Sequence, residues 1–124
     1  MMSEFERLEW DRRYSEREYK PRATASPYLE EWLPRIPLGR GLDVACGAGR
    51  NALRMAEAGF QVDGIDIAAS AIEIATGEAE RRGLTVSWRV EDLDTLELEN
   101  GAFNIITVFR YVNRGLWTRL IETL

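Results

Sequence analysis

Leu42-Asp43-Val44-Ala45-Cys46-Gly47-Ala48-Gly49-Arg50-Asn51-Ala52 passes through three local patterns in one short stretch. Residues 41–46 are short and mostly apolar, which reads as a strand. Gly47-Ala48-Gly49 reads as a turn, because two residues without side chains let the backbone reverse sharply and let a ligand come close. From Arg50 the spacing of Leu53, Met55 and Ala56 predicts a helix to Ala58, closed by Gly59. Downstream, residues 60–67 read as a second strand. Ser70 with Glu73 has the spacing of a capping box for a helix to Arg82, closed by Gly83. Leu84, Val86, Trp88 and Val90 alternate with polar residues as a third strand. An acidic connection, 91–101, leads to a fourth, doubly apolar strand at 103–109. Leu116, Trp117, Leu120, Ile121 and Leu124 then form a helical stripe, expected to serve as core or interface.

Upstream, Ser3 and Glu6 suggest a capping box for a charged helix that starts at Phe5, Leu8 and Trp10 and ends before Pro21. Ser26-Pro27 reads as N-cap and first position of a short helix over 28–33. The chain divides into an N-terminal helical segment, 1–36, and a core, 37–124. Strands alternating with helices imply parallel pairing through right-handed crossovers. The expected class is α/β: a Rossmann-like, open, mostly parallel sheet with helices on both faces.

Composition narrows the chemistry. The 124 residues, 45% hydrophobic and 30% charged, suit one globular domain. No apolar run approaches the roughly 18 residues of a membrane span. The charge-dense start has no apolar signal region, so the cytoplasm is the expected compartment. There is no histidine, so Ser-His-Asp and Cys-His catalysis and His-ligated zinc cannot be built within the chain. Cys46 is the single cysteine, which leaves no internal disulfide and no cysteine metal cluster; no metal is expected. A net charge of −5 repels phosphate backbones, so nucleic acid is not an expected partner, nor is a membrane.

Asp66 lies 19 residues beyond Gly47, at the carboxyl end of the second strand. In a doubly wound sheet that places a carboxylate at the ligand crevice, where it can accept both hydroxyls of a ribose. The combination points to an adenosine cofactor. The string Gly47-Ala48-Gly49-Arg50-Asn51-Ala52 also fits the dinucleotide fingerprint, so a nicotinamide-dependent oxidoreductase is an alternative. Asp43, an acid within an apolar strand, favours a cationic ligand over a pyrophosphate. S-adenosylmethionine carries an ammonium and a sulfonium and no phosphate.

With these residues in view, 42–49 resembles the first motif of class I S-adenosylmethionine-dependent methyltransferases, and Gly64-Ile65-Asp66-Ile67 their second. Glu91-Asp92-Leu93 stands where their third motif meets adenine. Arg50-Asn51-Ala52-Leu53, residues 56–60 and Asp66-Ile67-Ala68 are similar to the small-molecule, tellurite-resistance-type branch. Trp10-Asp11-Arg12-Arg13-Tyr14 resembles that branch's N-terminal helix, which helps cover the cofactor, and 109–114 resembles the segment after its fourth strand. The family sheet has the order 3-2-1-4-5-7-6, of which this chain supplies the four strands 3-2-1-4.

The resemblance implies direct in-line methyl transfer from S-adenosylmethionine to a small-molecule acceptor. The alternative from another class is a non-catalytic remnant that binds the cofactor or a partner. The implied cofactor set is Asp43, Ala45, Cys46, Gly47, Gly49, Asn51, Asp66, Ile67, Asp92, Leu93 and Phe109. Some of these residues have competing structural readings. Asp43 meets the ammonium or bonds loop amides. Asn51 bonds the cofactor or caps its helix. Phe109 meets the methyl-bearing end or joins the core. Cys46 and Trp88 read as packing, and Trp10, Arg13 and Tyr14 as a lid or a plain amphipathic face. Tyr14 and Tyr111 are candidate bases by position alone. An apolar fourth strand left at the sheet edge predicts a homo-oligomer.

Overall fold

Arg40–Val44 (β1), Gln61–Asp66 (β2), Val86–Val90 (β3) and Ile105–Val108 (β4) form one sheet in the order β3-β2-β1-β4, with every pairing parallel. The computed structural model describes residues 4–15, 24–109 and 114–124. The helices are α1 (Glu4–Ser15), α2 (Pro27–Trp32), α3 (Arg50–Glu57), α4 (Ala69–Arg82) and α5 (Arg114–Thr123), with a 3-10 turn at Leu33–Arg35. The expected class and strand order are therefore observed.

Register decides which side chains share a face. Leu42 lies between Asp63 and Ile106, and Val44 between Ile65 and Val108. Leu42, Val44 and Ile65 pack on that face with Leu93, Leu96, Phe103, Leu116 and Leu120. The opposite face holds Val62 and Ile105 against Met55 and Ala52 of α3, with Leu29 and Leu33 near the start of the chain. Helices thus cover both sides of the sheet, most completely over β1 and the later part of β2.

Element ends differ from the sequence reading where backbone groups are used elsewhere. β3 starts at Val86 and not at Leu84, because the Leu84 N–H donates to Ala79 O in the closure of α4 around Gly83 (φ +69). β4 starts at Ile105, because the Phe103 N–H donates to Thr123 O and the Asn104 N–H to Arg40 O. Ser70 does not cap its own helix. Ala68 holds the N-cap position of α4, and the Ser70 N–H and hydroxyl both reach Asp11 Oδ1 of α1, each at 2.9 Å. The carboxylate serving this helix start comes from 59 residues away. Phe5 and Leu8 on α1 are exposed, so only part of its apolar pattern is buried. Of the terminal stripe, Leu116 and Leu120 enter the core, whereas Ile121 and Leu124 remain exposed. Ser3 and residues 16–19, expected in the first helix, lie outside the described residues.

Candidate functional site

β1 ends where the backbone enters left-handed conformations at Ala45 (φ +55), Gly47 (φ +58) and Gly49 (φ +88). Only glycine adopts these angles freely, so the two glycines allow the turn, while Ala45 carries strain there. The Cys46 N–H still donates to Ile65 O, and the Gly49 N–H donates to Cys46 O. Gly49 is the N-cap of α3, and its carbonyl accepts the Leu53 N–H. The turn thus leads directly from the strand into the helix, as the sequence predicts.

The expected role of Gly49, close approach to a ligand, has a second cause in the packing. A Cβ at Gly49 would lie 2.7 Å from Trp88 Cη2 and 3.0 Å from Ala75 Cβ. A Cβ at Gly64 would lie 2.5 Å from Trp88 Cζ3. The indole occupies the space that both glycines leave; Trp88, read as packing, is half-buried and packs against the α3-side core.

Asp66 joins two motif segments. Its Oδ2 accepts the Gly47 N–H at 2.8 Å and its Oδ1 accepts the Ala68 N–H at 2.9 Å. The glycine turn is therefore pinned to the tip of β2. Burial raises the Asp66 pKa above the ordinary carboxylate value, while the amides of Ala68, Gly47 and Ile67 pull it down. A carboxylate has about four acceptor positions, so these amides leave capacity that a ribose diol would use. Ile67, next in the chain, is buried.

Asp43 is buried under the turn. Its Oδ2 accepts the Ala52 N–H in the first turn of α3 at 3.1 Å, and its Oδ1 accepts the Thr107 hydroxyl at 2.8 Å. Burial pushes its carboxyl up to about 7, against the lowering effect of Thr107 and Ala52. This is the amide-bonding role expected as one of its two readings: a buried acid ties the start of α3 to β1 and β4. Cys46 is also buried, its thiol pushed well above the ordinary value by burial and then by Asp43 and Asp66. Burial and a raised thiol pKa both fit a packing residue.

Asn51 does something neither of its readings anticipated. Its Oδ1 accepts the Ser26 N–H at 2.8 Å, fastening the start of α2 to α3. Asp92 is exposed and forms a small turn: its Oδ1 accepts the Asp94 N–H at 2.9 Å and its carbonyl the Thr95 N–H at 3.2 Å. Leu93 beside it is fully buried. Phe109 packs against the α3-side core. Tyr111 lies outside the described residues, as does the side chain of Tyr14.

α1 lies beside the turn. Trp10 and Ala48 both pack on the buried pair Ala68 and Ala71, and the Arg13 guanidinium stacks 5.0 Å over the Trp10 ring. Besides the bonds to Asp11 Oδ1, the Ser70 hydroxyl lies 2.8 Å from Asp11 O. Sequence reasoning missed Thr107, Ser26 and Asp11 as partners. Asp11 sits inside the 10–14 motif, and Thr107 is the hydroxyl in an otherwise apolar strand, so both carried a faint signal.

The site thus has a glycine turn, a buried acid beneath it and a second acid at the neighbouring strand tip. Comparison with known proteins gives this arrangement a family. Residues 42–124 match the family model described as a methyltransferase domain. The ubiquinone biosynthesis O-methyltransferase of Bordetella avium is 34% identical over 103 residues, covering 79% of this chain and 42% of that protein. A crystal structure of an S-adenosylmethionine-dependent methyltransferase from Mesorhizobium loti aligns with a TM-score of 0.66 at 25% identity, over 79% of this chain and 47% of that one. A structure concerning conversion of a disulfide bond into a thioacetal group during echinomycin biosynthesis aligns with a TM-score of 0.80 at 24% identity, over 94% of this chain and 54% of that one, a likeness of fold. The chain spans less than half the length of its Bordetella avium relative. None of these three singles out the tellurite-resistance-type branch. The chain belongs to the class I S-adenosylmethionine-dependent methyltransferases.

Proposed function

We propose that the chain binds S-adenosylmethionine across the carboxyl ends of β1 and β2 and serves methyl transfer to a small-molecule hydroxyl acceptor. The observation that carries this is the Gly47 N–H to Asp66 Oδ2 bond. It fixes the glycine turn against the acid that would take the ribose, and leaves acceptor capacity on the carboxylate. When bound, the cofactor supplies an electrophilic methyl group on a sulfonium leaving group.

The chain's own residues supply binding and orientation. Asp66 holds the ribose hydroxyls. Gly47 and Gly49 leave the turn without side chains. Asp43, beneath that turn, provides negative charge once a cation above it favours ionisation. Asp92 and Leu93 border the adenine. α1, tethered by Asp11 to Ser70, flanks the turn and shields it from water. If the acceptor must lose a proton, Tyr14 and Tyr111 are the candidates by position. The hydroxyl acceptor is carried over from the name of the Bordetella avium relative.

A second reading has one observation behind it. The chain spans 42% of that relative, and the competing reading is cofactor binding without turnover. Methyl-labelled S-adenosylmethionine incubated with a panel of small phenols and alcohols separates the two. Label transfer to a hydroxylated acceptor is expected. Saturable binding of S-adenosylhomocysteine with no transfer to any acceptor would replace the first reading with the second.

A further inference from the structure

Residues 91–104 contain no helix or strand, yet they include the two residues assigned to the adenine edge. A connection of this kind keeps its shape only if its backbone groups find partners. Most of those partners come from α5. The Arg119 guanidinium donates through Nη2 to Leu93 O at 2.8 Å, and through Nη1 to Leu96 O at 2.9 Å and Asp94 O at 3.3 Å. At the other end of the connection, the Gly101 N–H donates to Glu122 O, the Phe103 N–H to Thr123 O, and the Thr123 hydroxyl to Glu99 O. Below it, Leu93 and Leu96 pack with Leu116 and Leu120 of the same helix.

We propose that Arg119 is a positioning residue for adenine recognition: from α5 it clamps three carbonyls of residues 93–96 and so sets where Asp92 and Leu93 meet the base. The inference rests on the cofactor reading above. Guanidinium chemistry suits the role, because a rigid fork of donors spans carbonyls that a single ammonium cannot reach together. The helix also lies just after β4. The geometry of the adenine edge therefore depends on an element from the opposite side of the sheet from α3 and α4.

Removing the clamp leaves the fold supported. The connection stays fastened at its far end by Glu122 and Thr123, and its leucines remain in the core. Arg119 also borders an open groove with Leu96, Glu97, Leu98, Asn100 and Glu122, so water can reach the Leu96 end of the clamp. What is lost is the fixed position of the loop near Asp92.

The test is calorimetric titration of the wild-type chain, Arg119→Met and Arg119→Lys with S-adenosylhomocysteine and with its inosine analogue, in which an oxo group replaces the 6-amino group. The wild type is expected to prefer adenine. Arg119→Met should weaken S-adenosylhomocysteine binding about tenfold, the scale of one net hydrogen bond, and should shrink the preference for adenine. Arg119→Lys should fall between the two. The preference is a ratio, so it is insensitive to the fraction of folded protein. An equal loss for both ligands, with the preference intact, would overturn the proposal and leave Arg119 a plain structural residue. So would unchanged binding in Arg119→Met or, where that variant fails to fold, in Arg119→Lys. If the wild type bound neither ligand, the cofactor reading itself would fall, and this inference with it.

Discussion

Asp43 lies in the core of the sheet with its two oxygens on the Ala52 amide and the Thr107 hydroxyl, and its carboxyl is pushed up to about 7 by burial. Its ordinary value in an unfolded chain is 3.8. Between those values the folded state holds a proton that the unfolded state has released. The contribution of Asp43 to stability is therefore full below about pH 4 and is lost as pH rises through about 7. Asp66 is shifted in the same direction by burial, so its contribution has the same sign. Without ligand, the chain should become less stable from pH 5 to pH 8. Asp43→Asn, which can still face both partners, should flatten that slope. Urea unfolding of both proteins across this range checks it; parallel slopes would show that Asp43 does not titrate there. The lone acid in an apolar strand was visible in the sequence. Its partner was not, because Thr107 reaches Asp43 only through the β1–β4 register, 64 residues along the chain.

At the scale of elements, Trp88 of β3 lies against the two glycines that open α3 and sit within β2. Gly64→Ala should cost about 1–3 kcal/mol, the usual range for overpacking a core. Combined with Trp88→Leu, the added methyl should cost much less, since the indole is what it meets. A denaturant double-mutant cycle reads that coupling; additive costs would mean the methyl meets something else. The strands and helices were legible because a repeated strand-helix alternation leaves few topologies. The exact element ends were not. Leu84 and Phe103 have strand-like side chains, but their amides serve α4 and α5. Ser70 has a local capping pattern, but Asp11 takes its place. Each of these choices depends on tertiary neighbours that local spacing does not encode. α1 shows the same limit: its pattern marks a helix, but does not tell that Trp10 packs while Phe5 and Leu8 stay exposed.

At the scale of the molecule, one half of a doubly wound sheet carries the glycine turn, the acid beneath it and the acid beside it. The placing of Gly47 and Gly49, with Asp66 beside them, followed from strand order, because a switch crevice forms between β1 and β4, whose following helices α3 and α5 cover opposite faces of the sheet. Asn51 and Arg119 could not be read in this way. Their roles, on Ser26 and on the carbonyls of residues 93–96, exist only once helices from distant parts of the chain are in place. The central claim is that Asp66, pinned to the Gly47 amide, holds an adenosine cofactor. The direct measurement is calorimetric titration of S-adenosylhomocysteine into the wild-type chain and into Asp66→Ala. One-to-one binding in the micromolar range is expected for the wild type, weakened by about 1–3 kcal/mol in the variant, the scale for lost hydrogen bonds to a charged group. No binding by the wild type, or equal affinity in the two proteins, would contradict it.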